Sequence, residues 1–158
     1  MTSPRQRALR YFLRAPVYIY RLHLGRLLGR RFLLLTHTGR RSGLRRQTVL
    51  EVMEYRKEVP EAVVMSGFGR NSDWLRNIET AGNEEVTIGG EHFAATHRFL
   101  GEDEAVNVVK NYERANRFMI PIVRWVLTRL LGWTYRGSED DRRRLVRELP
   151  LVAFRPRS

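Results

Sequence analysis

The sequence contains no cysteine, and it contains no acidic residue before Glu51. The absence of cysteine excludes a disulfide scaffold, a thiolate metal site and a cysteine nucleophile. No stretch reaches the roughly 20 apolar residues that a membrane-spanning helix needs. The first residues also lack the uninterrupted apolar core of a signal peptide. These absences predict a cytoplasmic protein without a membrane span.

Several catalytic motifs are missing too. The sequence has no Gly-x-Ser-x-Gly nucleophile elbow, no P-loop and no dinucleotide-binding Gly-x-Gly-x-x-Gly after a strand. The four histidines show no metal-ligand spacing with carboxylates, so we predict no metal site: His23, His37, His92 and His97. His37 lies beside an arginine-rich turn, where a hydrogen-bonded structural role is commoner than an acid–base one. If the protein is an enzyme, a cofactor carries its chemistry.

The composition indicates one globular domain with an uneven charge. The chain has 158 residues, of which 42% are hydrophobic and 10% aromatic. Twelve arginines precede Glu51, and the other 17 of the 29 basic residues balance the 17 acidic ones, so the whole net charge of +12 lies before Glu51. This uneven distribution of positive charge predicts an anionic partner: a phosphorylated cofactor, an anionic membrane surface or a nucleic acid.

The most informative stretch runs from Phe32 to Val52. A short apolar strand breaks at Gly39 and returns as a second strand from Thr48. Between them, four arginines surround a Ser-Gly pair: Arg40, Arg41, Arg45 and Arg46. Guanidinium groups match phosphate oxygens in pairs, and glycines allow close approach of backbone N–H groups. We predict that this turn captures an anion; the alternative is a solvated basic turn.

The remaining pattern predicts short strands and helices. In Arg5 to Leu28, apolar residues follow one helical face and Pro16 interrupts it, which predicts two short basic helices that pack on the domain or rest on anionic lipid. Including the two strands on either side of the turn, the predicted strands are Phe32–Thr36, Thr48–Tyr55, Ala62–Ser66, Glu85–Ile88, Glu91–Leu100 and Leu151–Phe154. Helices are predicted at Asp73–Ala81, Glu102–Asn116, Ser138–Glu148 and, as a pair, within Arg117–Tyr135. We expect that pair to cover the barrel or to meet lipid.

Strands in hairpin order with helices at both ends predict an α+β fold, a small antiparallel β-barrel. We expect a single domain over residues 1–158. Within it, residues 1–30 form the amphipathic N-terminal helices, 31–100 the barrel core, and 101–158 the C-terminal helices and the final strand.

Three motifs together resemble one known family. The segments are LLLTHTGRRSGLRRQTVLEV, then VVMSGFG, then DWLRNI. In combination they are similar to the deazaflavin-dependent nitroreductase family, whose members are split β-barrel proteins of the FMN-binding type that bind coenzyme F420. The resemblance covers about residues 31–100. It departs from the prodrug-activating members at Glu51, where they carry a tyrosine, and at Gly67, where a lysine is frequent.

The resemblance implies a set of coenzyme-binding residues. The phosphate and lactyl-glutamyl tail would be held by the arginine turn: Arg40, Arg41, Ser42, Gly43 and Arg46. The deazaflavin ring would be lined by the start of the second strand and by the loop after the third: Gln47, Thr48, Ser66, Gly67, Phe68 and Gly69. Trp74 and Asn77 would brace the pocket wall. No catalytic residue is identified by these motifs.

The resemblance implies an F420-binding oxidoreductase that passes hydride to a conjugated acceptor such as a quinone, an enone or a nitro compound. A membrane quinone, peripheral contact with an anionic membrane and a homodimer are further expectations. One alternative is an FMN-binding protein on the same barrel. Another is a non-catalytic basic module that binds lipid or nucleic acid. Nucleic acid is not expected, because the arginine turn lacks the interleaved aromatics of such modules.

Overall fold

The computed structural model describes residues 29–158. The helices predicted for Arg5 to Leu28 lie outside these residues. Six strands form a closed barrel in the order β1-β2-β3-β6-β5-β4, with every pair antiparallel. The strands are β1 (Phe32–Thr38), β2 (Arg45–Arg56), β3 (Glu61–Met65), β4 (Glu85–Ile88), β5 (Glu91–Phe99) and β6 (Leu151–Pro156). The predicted α+β antiparallel barrel is confirmed.

Four helices accompany the barrel. They are α1 (Asp73–Ala81), α2 (Glu102–Ala115), α3 (Ile120–Leu131) and α4 (Glu139–Glu148). Local signals set their ends. Gly82 terminates α1 with a left-handed φ of 63°, and the Ser138 hydroxyl accepts the Asp141 N–H at the start of α4. Among the described residues, no helix is long and apolar enough to cross a membrane.

The continuous apolar runs of β3 and β6 are explained by two cores, one on each face. Ala62 and Val64 point into the barrel, where they join Leu33, Leu75 and Phe154. The intervening residues point outward into a second core built with α2 and α4: Val63, Leu151 and Ala153, with Val108 and Leu145. Because successive strand side chains point to opposite faces, a strand covered on both faces shows no polar alternation.

Two predicted segments differ from the structure. Strand β2 begins at Arg45 rather than Thr48, because Arg45 and Arg46 pair across the ladder with Thr38 and His37. The helical pair predicted within Arg117–Tyr135 is a 3-10 turn (Arg117–Met119) followed by the single helix α3. Gly132, with a φ of 78°, ends that helix, and the chain continues without helix to Ser138.

An ion-pair network ties β2, β3 and β5 to α2. Glu61, which is 4% exposed, accepts both Nε and Nη2 of Arg98 at 3.0 and 2.8 Å. Glu104 of α2 accepts Arg98 at 3.0 and 2.8 Å and Arg56 at 2.8 Å. Hydrogen bonds from Arg98, then Arg56, lower the pKa of Glu104 from 4.5 to about 2. The network therefore requires an ionised Glu104.

Candidate functional site

The turn between β1 and β2, residues 39–44, is closed by its own backbone. Gly39 N–H donates to the Leu44 carbonyl and Gly43 N–H to the Gly39 carbonyl, both at 2.8 Å. Gly43 has a φ of 67°, and a Cβ at Gly39 would lie 2.6 Å from Ser42 Oγ. The turn therefore favours glycine at position 43 for its backbone conformation, and a side chain at position 39 would displace the Ser42 hydroxyl.

Two of the four arginines around this turn are bound to carboxylates. Arg40 contacts Asp73 of α1 at 3.2 Å and donates to Asn77 Oδ1 at 3.0 Å. Arg45 forms a two-pronged pair with Glu85 of β4 at 2.8 and 3.2 Å. The hydrogen bond from Arg45 lowers the pKa of Glu85. These two guanidinium groups attach the turn to the rest of the domain.

Arg41 and Arg46 have no carboxylate partner among residues 29–158, and both are exposed. Arg46 instead lies near the imidazole of His37, its cross-strand neighbour. Burial of His37 and then the charge of Arg46 lower the pKa of His37 to about 4, against a smaller opposing effect of Asp73. The turn thus presents two positive charges that the described protein leaves uncompensated.

Asn77 joins the turn to the barrel from behind. Its Oδ1 accepts the Arg40 backbone N–H as well as the Arg40 side chain, both at 3.0 Å, and its Nδ2 lies 3.0 Å from His37 Nδ1. Only 2% of Asn77 is exposed. With His37 neutral, the amide N–H donates to the imidazole, so one buried side chain fixes α1, β1 and the turn together.

The loop after β3 is equally constrained. The buried Ser66 hydroxyl donates to the Gly69 carbonyl at 2.7 Å and lies 2.6 Å from Ser72 Oγ. Gly69 has a φ of 70°, and a Cβ there would lie 3.0 Å from the Glu148 carbonyl oxygen. These contacts hold Gly67 and Phe68 at the edge of a cavity.

That cavity has a volume of about 480 Å³. Its walls come from β2, the loop after β3, Trp74 of α1, and helices α2, α3 and α4. The lining is mainly apolar: Thr48, Val49, Leu50, Glu51, Met53, Met65, Gly67, Phe68, Trp74, Val109, Tyr112, Glu113, Ile122, Val123, Val126, Leu127, Leu130 and Leu145. Arg46 and Gln47 immediately precede Thr48, so the arginine turn continues directly into one wall.

The polar groups of the cavity are mostly paired with each other. The Tyr112 hydroxyl donates to Glu51 at 2.7 Å; burial and then Glu51 raise the pKa of this tyrosine. Glu113 accepts the Tyr135 hydroxyl and the Arg142 guanidinium, the latter at 2.8 Å. The cavity is therefore a site for an apolar or flat aromatic molecule, with a carboxylate–phenol pair at its wall.

A family model described as F420H(2)-dependent quinone reductase matches residues 13–118. The chain belongs to this family. It is an oxidoreductase, and its cofactor is coenzyme F420. The match spans the arginine turn, the Ser66–Gly69 loop and α1, and it ends just before α3. No curated protein matches the sequence.

Solved structures of low sequence identity share the fold. An F420-H2 dependent reductase (FDR-A) is 19% identical with a TM-score of 0.52, over 80% of this chain and 95% of that one. A structure described as a domain-swapped dimer is also 19% identical, with a TM-score of 0.51, over 89% and 99%. A protein related to general stress protein 26, of the pyridoxinephosphate oxidase family from Clostridium acetobutylicum, is 6% identical with a TM-score of 0.50, over 88% and 84%.

The residues of the site fit a phosphorylated deazaflavin. Two guanidinium groups that have no carboxylate partner in the described part of the chain suit the anionic tail of the coenzyme, because charge-assisted hydrogen bonds to phosphate are the strong ones. A cavity of about 480 Å³ with apolar walls lies within the range of roughly 300–1,000 Å³ that small-molecule sites occupy. The turn leads into β2, which forms one wall of the cavity.

The residues expected from the sequence occupy three kinds of position. Four line the cavity: Thr48, Gly67, Phe68 and Trp74. Five are exposed on the turn and the start of β2: Arg41, Ser42, Gly43, Arg46 and Gln47. Four support these from behind through hydrogen bonds or close packing: Arg40, Ser66, Gly69 and Asn77.

Sequence reasoning placed no residue after Asn77 in the site. The walls from α2 and α3 were missed, including Val109 and Tyr112 of α2. A signal for α3 was present, since residues 114–138 contain many apolar residues and no acidic one. Nothing in that pattern, however, indicates which part of the barrel the helix covers.

Proposed function

We propose that this protein is an F420H2-dependent reductase of apolar conjugated acceptors, with quinone-like molecules as the best fit. The observation that supports this most is the cavity of about 480 Å³, whose lining is largely Val, Leu, Ile and Met and which adjoins a turn with two uncompensated arginines. The bound reduced coenzyme supplies a hydride. A quinone that accepts it also takes one proton and leaves as the quinol.

The chain's own residues have separate roles in this proposal. Arg41 and Arg46 bind the phosphate and carboxylates of the tail, with the Ser42 hydroxyl and the Gly43 backbone beside them. Arg40 and Asn77 hold the turn in place. Thr48 and the Gly67–Phe68 edge position the ring. Apolar side chains of α3 exclude water from the acceptor, which strengthens electrostatic interactions within the cavity.

The acceptor's proton requires a polar group at the cavity wall. Tyr112 and Glu51 form such a group, and the Glu51 side chain is 40% exposed, so the pair contacts both cavity and solvent. We infer that this pair passes a proton from bulk water to the acceptor as it is reduced.

The deciding experiment titrates the purified protein with oxidised F420, FMN and NADP in the same buffer, followed by steady-state reduction of a short-chain quinone by F420H2. We expect F420 to bind more tightly than FMN and the quinone to be consumed. Equal or tighter binding of FMN would favour an FMN protein on the same barrel. F420 binding without turnover of a quinone, an enone or a nitro compound would contradict the acceptor assignment alone.

We also propose reversible association with the cytoplasmic face of an anionic membrane, because the whole net charge of +12 precedes Glu51. This proposal concerns residues 1–28, which carry six arginines and no acidic residue. Deleting them should reduce co-sedimentation with anionic vesicles and leave F420 binding unchanged. Unfolding of the deleted protein would instead show that this segment packs on the domain.

A further inference from the structure

Helix α3 and the 3-10 turn before it carry apolar side chains on two adjoining sides. Val123, Val126, Leu127 and Leu130 line the cavity. On the other side, Phe118, Ile122 and Trp125 recur at i, i+4 and i+7 and are 99%, 56% and 62% exposed. Met119 beside them is 43% exposed, and α3 has no buried residue. Large apolar side chains that are exposed together on a surface are typical of an interaction site. Residues 29–158 cover only the inner side of α3.

The charged residues of the segment that carries this outer side are all positive. Residues 114–138 contain five arginines and no acidic residue. Arg117, Arg124 and Arg129 are exposed and have no carboxylate partner in the described part of the chain; Arg129 instead stacks over the Trp125 ring at 5.4 Å. We define the α3 face as these three arginines with Phe118, Met119, Ile122 and Trp125.

We propose that the α3 face contacts an anionic lipid surface. Charge complementarity selects this occupant over the two that the chain itself offers. Residues 1–28 have six arginines and no acidic residue, so they do not complement the face. A second copy in a two-fold interface would place the same arginines against one another. Anionic lipid complements both the apolar side chains and the arginines of the face. The apolar side chains and the tryptophan enter the headgroup boundary, and the arginines pair with the headgroups.

This contact, which builds on the proposed function, defines how the acceptor enters. Ile122 is exposed and also lines the cavity, so the α3 face and the cavity wall are continuous. With this face on lipid, an apolar acceptor passes from the bilayer beside α3 into the cavity without crossing water. The family match ends at residue 118, so Ile122 and Trp125 lie beyond it.

Trp125 provides a direct test. The full-length protein is mixed with vesicles of phosphatidylglycerol and phosphatidylcholine in which the lipid carries bromine on its acyl chains. We expect quenching of tryptophan fluorescence that is lost in Trp125→Phe and absent with vesicles of phosphatidylcholine alone. Trp74 and Trp133 stay in both proteins, and residues 1–28 contain no tryptophan, so the difference reports α3 alone. Sedimentation without this difference would overturn the proposal, since another segment would then bind the lipid.

Paired variants test the charge and the apolar stripe. Arg117→Gln/Arg124→Gln should weaken vesicle binding roughly 30-fold, because each arginine near an anionic surface contributes about fivefold. The matched control is Arg76→Gln/Arg155→Gln, which removes two other exposed arginines, on α1 and β6, that have no carboxylate partner within residues 29–158. Phe118→Ser/Trp125→Ser should weaken co-sedimentation with the anionic vesicles, whereas Val59→Ser, another exposed apolar residue, should not.

Two further outcomes would overturn the assignment. Equal vesicle binding by both arginine pairs would show general basicity rather than a defined face. A concentration-dependent dimer that Phe118→Ser/Trp125→Ser makes monomeric would identify the face as an interface between copies. Because F420 binding and turnover of a soluble quinone are measured separately on the same variants, failure of the lipid contact is distinguishable from failure of the reductase assignment.

Discussion

Among the residues of the arginine turn, identical side chains have different tasks because of what lies opposite them. Arg40 and Arg45 face carboxylates contributed by α1 and β4, whereas Arg41 and Arg46 face none in residues 29–158. The sequence predicts the cluster but not this division, because Asp73 and Glu85 are 33 and 40 positions away from their partners. Tertiary contacts, and not the local sequence pattern, decide which guanidinium groups remain available to bind an anion.

This division gives a prediction for binding. Arg41→Ala and Arg46→Ala should each weaken F420 binding by about 1.5–3 kcal/mol, the range for hydrogen bonds to charged groups. The loss should shrink at high salt, because screening already weakens the contact in the unaltered protein. Isothermal titration at two salt concentrations measures both effects. Arg76→Ala, an exposed arginine of α1 that has no carboxylate partner within residues 29–158, is the matched control.

Arg40→Ala should behave differently from Arg46→Ala. It removes contacts with Asp73 and Asn77, so the midpoint of thermal unfolding should fall more than for Arg46→Ala. If Arg46→Ala and Arg41→Ala bind F420 as the unaltered protein does, the turn is merely solvated and the tail of the coenzyme lies elsewhere.

The pKa of His37 reports on the same site in a measurement that does not require turnover. Its pKa is about 4 when folded and 6.5 when unfolded, so the unfolded state takes up the proton first as pH falls. The resulting contribution to stability is complete above pH 6.5 and is lost as pH falls towards 4. Urea unfolding across this interval should show the loss, and His37→Gln should remove it.

An anion at Arg46 should raise the pKa of His37, because the charge of Arg46 is one of the causes that lower it. Titrating the imidazole signal by NMR with and without inorganic pyrophosphate tests this. An unchanged pKa in saturating pyrophosphate would mean that the anion does not reach Arg46.

At the scale of elements, the loop after β3 depends on one glycine. Gly69 combines a φ of 70° with a carbonyl oxygen 3.0 Å from where a Cβ would lie, whereas Gly82 has a φ of 63° and open space. Gly82→Ala should cost about 1–2 kcal/mol, the strain of a left-handed residue with a side chain. Gly69→Ala should cost clearly more, because the backbone of Glu148 must also move. Chemical denaturation of both variants measures the difference. Equal losses in the free energy of unfolding would mean that the loop moves away from Glu148 at little cost.

Elements with local signals were predictable, and those fixed by distant contacts were not. Helix α1 matches its prediction, Asp73–Ala81, because Ser72 and Gly82 mark both ends. The hairpin of β4 and β5 follows from Gly89-Gly90, whose φ values are both positive. The early start of β2 and the cavity walls from α2 and α3 arise from cross-strand and tertiary contacts, which leave no mark in the neighbouring sequence.

For the whole molecule, acid should weaken the attachment of α2 to the barrel. The pKa of Glu104 is lowered from 4.5 to about 2, so its contribution to stability is present above pH 4.5 and is lost as pH falls from there towards 2. This pH interval lies largely below that of His37. Glu104→Gln should therefore lower stability at pH 7 and flatten its decline below pH 4.5. Urea unfolding at several pH values measures this, with Glu79→Gln, an exposed residue of α1, as control. Parallel curves for the two variants would contradict it.

The place of β6 in the barrel has a consequence for synthesis on the ribosome. The strand pairs with β3 on one side and β5 on the other, yet it follows β5 in the chain by about 50 residues. At about 5–20 residues per second, the nascent chain spends several seconds with those two strands complete and the seam between them open. Unpaired strand edges are what chaperones cover and what neighbouring chains join. The interval between Phe99 and Leu151 is thus when this chain is most exposed to aggregation, and slow codons placed there would lengthen it without changing a single amino acid.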